Sequence, residues 1–113
     1  MTIQKTVTLA AATAIDNLLA GSIYEWMQSD AILNLGFVAD DVGLVISFFI
    51  NGEMIAEDLI PTVDTTARAP RTNEDYPITD EPILGGSKLT VKVRNTTAAT
   101  SIDITYAVNI TPA

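Results

Sequence analysis

Fourteen aspartates and glutamates stand against six lysines and arginines, with no histidine and no cysteine, and this sets the chemistry open to the chain. Without histidine there is no ordinary general base, no imidazole metal ligand and no charge switch near neutral pH. Ser-His-Asp and Cys-His nucleophile systems are excluded. Without cysteine, disulfides and thiolate metal sites are excluded as well. Carboxylate chemistry remains. Asp40 and Asp41 precede Gly43, and Asn73, Glu74, Asp75, Asp80 and Glu81 crowd one stretch. Calcium wants clustered oxygen ligands, but no Asp-x-Asp-x-Asp-Gly pattern occurs, and solvated loop charge accounts for these residues. A glycosidase needs two acids flanking a sugar bond. Among so many acids some pair falls at a suitable distance by chance, and a sandwich of this size rarely holds a deep cleft. The sequence assigns no catalytic residue, cofactor or metal ligand, and the expectation is a protein that is not an enzyme.

Two further groups have types that could bind. Tyr24 and Trp26 are two apart, so a strand would place them on one face. They would suit a sugar platform, or the packing of a core or interface, where aromatics supply large contact area. Lys88, Lys92 and Arg94 form a basic stripe. It is too small for nucleic acid in a chain of net charge −8. Cross-strand pairing with Asp103 would explain it; the functional version is a salt-dependent contact with an acidic neighbour. The same net charge disfavours anionic membranes, and no apolar run reaches the ~18 residues of a membrane helix. Residues 5–14 faintly resemble a signal peptide, but threonines interrupt the run and Asp16 follows, so no signal is assigned. Asn95-Thr96-Thr97 and Asn109-Ile110-Thr111 match the glycosylation acceptor pattern, which is too short to carry weight.

The elements that must position these side chains read as strands. In residues 88–94, Leu89, Val91 and Val93 alternate with polar residues. In 101–110, Ile102, Ile104, Tyr106, Val108 and Ile110 do the same. Period two marks a half-buried strand, and β-branched residues suit its pleated surface. The polar loop at 95–100 predicts that the two runs pair as an antiparallel hairpin. Residues 44–50 and 53–60 flank Asn51-Gly52, the strongest short hairpin signal. The first of these runs is apolar on both sides and predicts an inner strand. Residues 2–9, 22–28 and 31–38 read as further strands, and 11–19 could hold a helical turn.

The length of 113 residues and the 48% hydrophobic content predict one domain with a core of its own. Pro61, Pro70, Pro77 and Pro82 interrupt residues 61–87. A loop this long is expected to be functional or extended along a partner, with a short strand near 76–78. The fold class is therefore all-β: an antiparallel two-sheet β-sandwich spanning 1–113, with the jelly roll as a candidate form.

The run 83–97, where Gly85-Gly86 leads into an alternating strand ending in Arg94-Asn95-Thr96, resembles small β-sandwich structural proteins of bacteriophage virions. The style of 18–25 and the ending Ile110-Thr111-Pro112 fit the same group. The resemblance covers about half the chain and carries over no catalytic residue. It implies a capsid, decoration or other particle-surface role in the virion, assembled in the host cytoplasm, with partners that are copies of the chain or other virion proteins. The acidic surface favours an outward position, away from packaged genome. The strand or arm at 2–9 and the loop at 61–87 would reach neighbours. Ile3, Val7, Tyr24, Trp26, Arg68, Arg71, Tyr76, Lys92 and Arg94 are the candidate inter-subunit contacts. The alternative is a carbohydrate-binding module whose partner is a surface glycan held by Tyr24 and Trp26.

Overall fold

The computed structural model describes residues 2–65, 68–71 and 74–112. Among them are nine strands and no helix: β1 (Thr2–Leu9), β2 (Ala14–Ile15), β3 (Ala31–Ala39), β4 (Leu44–Ile50), β5 (Glu53–Leu59), β6 (Thr62–Val63), β7 (Ile78–Ile83), β8 (Leu89–Asn95) and β9 (Ile102–Pro112). One sheet has the order β1-β9-β3-β6, with β7 on the same side of β3 as β6; the other has the order β2-β8-β4-β5. The pairings are antiparallel except that of β3 with β6. The two sheets pack face to face as the β-sandwich that the alternating runs predict.

The alternation decides what goes inside. From β8, Leu89, Val91 and Val93 are buried while Lys92 and Arg94 stay exposed. They meet Ile102, Ile104, Tyr106 and Val108 of β9 and Leu33, Leu35 and Phe37 of β3 in one hydrophobic core. Leu44, Ile46 and Phe48 of β4 complete it, so the run read as an inner strand does lie between two others. Fully burying each such side chain is worth roughly 1.5–3 kcal/mol.

The Asn51-Gly52 hairpin forms as predicted. Asn51 and Gly52 have φ of 52° and 81°, the positive pair that a type I′ turn requires. The second predicted hairpin does not form. Residues 88–94 and 101–110 are both strands, but β8 pairs with β2 and β4 while β9 pairs with β1 and β3. The loop at 95–100 crosses from one sheet to the other. Both strands need a core to bury their apolar sides, and facing each other across the sandwich satisfies that as well as pairing does. Periodicity alone cannot tell the two arrangements apart.

Two other expectations are corrected. Residues 11–19 contain turns and the short β2, not a helical turn. Residues 22–28 are not a regular strand, although Trp26 makes an isolated bridge with Lys88. Ser22 breaks the run: its hydroxyl donates to the Leu19 carbonyl, and its own carbonyl accepts the Glu25 amide. Past that turn the backbone runs along β8, with Leu89 N donating to Glu25 O and Met27 N donating to Ser87 O.

Candidate interaction surface

The loop expected at 61–87 is interrupted by β6 and β7, and the described residues between those strands fold back on their own sheet. Asp64 N donates to Ala39 O and Phe37 N donates to Asp75 O, so both ends of the loop bind the free side of β3. Small residues make room for what lies between. A Cβ on Gly36 would come within 2.8 Å of Pro70 Cβ and of the Tyr76 ring. Val38, Thr105 and Ala107, on the outward face of the same sheet, are buried.

An ion-pair cluster clamps this cover. Arg68 Nη1 donates to Asp75 Oδ2 at 2.5 Å and Arg68 Nε donates to Asp64 Oδ2 at 2.6 Å. The Arg71 amide also donates to Asp75, at 2.7 Å. The Asp75 side chain is wholly buried. Its hydrogen bond from Arg68 outweighs the desolvation and, with the Arg71 amide and Thr62 hydroxyl, lowers its pKa to about 2. The two carboxylates raise the Arg68 pKa in turn, so it stays charged. Arg68 therefore serves an internal role. Arg71 is exposed, 3.7 Å from Glu74. Tyr76 is half-buried against Gly36, and burial raises its pKa.

Tyr24 and Trp26 do not share a face: Tyr24 is 5% exposed and Trp26 53%. The turn at Ser22 removes the strand geometry that the spacing argument assumed. Both still line a cavity of about 300 Å³, with Ile23, Met27, Ala31 and Pro112 among its other walls. The Tyr24 hydroxyl is buried with no hydrogen-bond partner among the described residues. Lys88 Nζ lies 5.5 Å from the Trp26 ring centroid and 3.7 Å from Glu25.

The remaining candidates scatter. Ile3 and Val7 are half-buried against the core from β1, which is a member of its sheet along its whole length. Lys92 sits 5.1 Å from the Phe49 ring on the outer face of the other sheet, and Arg94 is exposed opposite Ala14. Asp103 does not pair with the basic stripe; it accepts a 2.6 Å hydrogen bond from Thr8. The acids of the proposed cation cluster also separate. Asp40 accepts the Asp103 amide, Asp41 accepts the Val42 amide and Asp75 holds Arg68. Among the described residues no group of three or more His, Cys, Asp or Glu is placed to hold a metal ion. Asn73 lies outside the described residues.

Asparagines do structural work that the sequence did not reveal. Asn95 is 2% exposed. Its Nδ2 donates to the carbonyls of Leu9, Ala10 and Thr100, and its Oδ1 accepts the Thr97 amide and hydroxyl. It ties the loop after β8 to the one after β1, and a glycan at this position is incompatible with the fold. Asn17 binds β8 from the side, donating to Leu89 O and accepting Val91 N. The one available signal was the placement of Asn95 at the end of an alternating run, where Asn pairs with loose backbone groups.

Among the described residues no helix is long and apolar enough to cross a membrane. No protein-family model matches the chain, and no curated protein matches it.

Proposed function

We propose that this chain is a non-enzymatic structural protein of a virus particle, of bacteriophage type, that packs on copies of itself and on other particle proteins and faces outward. The observation that carries the reading is the strand order. With the two-residue β6 set aside, the strands run 1-9-3-7 in one sheet and 2-8-4-5 in the other. This order supports reading the sandwich as a jelly roll, an architecture recurrent in viral capsid and lectin domains. Architecture does not dictate function, so the reading leans also on the resemblance of residues 83–97. The net charge of −8 suits an outward position away from nucleic acid. Light scattering on the purified chain at high concentration tests it. A mass well above that of one chain is expected; a clean monomer throughout, with no self-contact in the native particle, overturns it.

Lectins supply the second reading, and Trp26 favours it, being half exposed and lining the cavity. Tyr24 is not available as a second platform. Binding on a glycan array that vanishes in Trp26→Ala, with the melting point unchanged, would put sugar recognition ahead of assembly.

A further inference from the structure

A sheet ends in strands whose outer N–H and C=O groups are unpaired, and another chain can add a strand there. The sandwich has such edges at β1, β2, β5 and on the side of β3 where β6 and β7 lie. Three of these are poor templates. β2 and β6 have two residues each. β7 carries Pro82, which has no N–H to offer, and Asp80 with φ of 51°. β5 slips register twice against β4 and has φ of 52° at Asp58, so its ladder is irregular. β1 differs. Its eight residues pair with β9 without a register shift, and it contains no proline and no residue of positive φ. It is a regular strand with one side open.

β1 has one charged residue, and that residue is on the core-facing side. Lys5 stands opposite the buried Tyr106, between Ile3 and Val7, which pack on the core. Thr6 and Thr8 mark the other side, bonding Thr105 and Asp103. Yet Lys5 is exposed, and it enters none of the ion pairs among the described residues. A lysine rooted among apolar neighbours stays solvated only where its ammonium can reach out to water. Here the open edge is the way out.

We infer that Lys5 keeps the β1 edges of two copies from pairing. β1 is the one regular edge, so its natural mate is the β1 of a second copy, related by a two-fold axis. That pairing covers the way out for both lysines. β1 contains no acid, so it brings two ammonium groups together and no carboxylate to meet them. A charge buried without a partner opposes the pairing strongly. Copies of the chain therefore meet through faces and loops and not by continuing their sheets.

The test removes the charge and keeps the strand. Lys5→Val should lower the concentration needed for association about tenfold or more, with a melting point no lower than the parent's. A nitroxide on Gln4→Cys is the single label of a cysteine-free chain. It should show dipolar broadening between copies in the Lys5→Val background and none in the parent, because paired strands lie about 5 Å apart. Lys5→Arg keeps the charge, and Gln4→Val adds the same apolar side chain on the outward side; both should behave as the parent does. The inference falls if Lys5→Val associates no more readily than the parent, or associates without contact between labels. It falls equally if Gln4→Val associates as readily, or if the parent's labels already meet. The proposed self-assembly is tested separately by the parent's own mass: a monomeric parent overturns that reading and leaves this one to the Lys5→Val result.

Discussion

The two sheets finish their outward faces in different ways. On the β1-β9-β3 sheet the outward residues Gly36, Val38, Thr105 and Ala107 are small or β-branched, and they are buried beneath the chain's own loop. On the β2-β8-β4-β5 sheet the outward residues include Lys92, Arg94, Ser47 and Phe49, and Lys92 lies over the Phe49 ring in the open. The first face is a second, smaller packing layer with a buried charge cluster as its fastener. The second is an ordinary solvated face. A residue on the first face answers to neighbours on both sides, whereas one on the second answers mainly to water.

Asp75→Ala should break this contrast most. It leaves Arg68 with only one of its two carboxylate partners, and removing one member of a buried pair typically costs about 3 kcal/mol or more. A fall of about 10 °C or more in the melting midpoint is expected. The acid side of the stability curve checks the cause. The native Asp75 pKa, about 2, lies below the ordinary aspartate value of 3.8. Its contribution is therefore complete above about pH 4 and is lost as the pH falls through 2. Urea titrations across that window should show the parent losing stability that Asp75→Ala never had.

Gly36→Ala ranks next. The new methyl meets Pro70 and Tyr76 at 2.8 Å, and overpacking of this kind costs about 1–3 kcal/mol. A lower urea midpoint is expected. Lys92→Ala, on the open face, should change stability by about 0.5 kcal/mol or less, since an exposed cation over a ring is worth little more. If Lys92→Ala were as damaging as Gly36→Ala, the open face would not be open in the protein as it exists in solution.

The sequence made the strands legible where one side of the strand faces water. β8 and β9 announce themselves through Leu89-Thr90-Val91-Lys92-Val93 and Ile102-Asp103-Ile104. Asn51-Gly52 announces its turn because few residue pairs tolerate two positive φ values. Pairing was legible only where such a turn fixes it. Nothing local to residues 95–100 says that the chain changes sheets there, because the decision lies in how Asn95 holds the backbone at Leu9 and Ala10. The role of Arg68 was hidden for a related reason. Its partners Asp64 and Asp75 are near in sequence, but Asp75 becomes buried only when the loop settles on Gly36. Trp26 was singled out for its type and is half exposed; pairing it with Tyr24 on one face failed because Ser22 turns the chain just before them.

The position of the last two strands has a bearing on how the protein is made. β8 and β9 come last in the chain, yet each lies inside its sheet, between β2 and β4 and between β1 and β3. A growing polypeptide that has reached Ser87 has every strand described except these two. Apart from the β4–β5 hairpin and the contacts of β3 with β6 and β7, it can form none of the native ladders. Pairing residue 2 with residue 109 must also wait for a very long loop to close. Closing the two sheets should therefore wait until β9 has been made, and a chain cut short near Ser87 should be recovered as aggregate and not as a smaller folded protein.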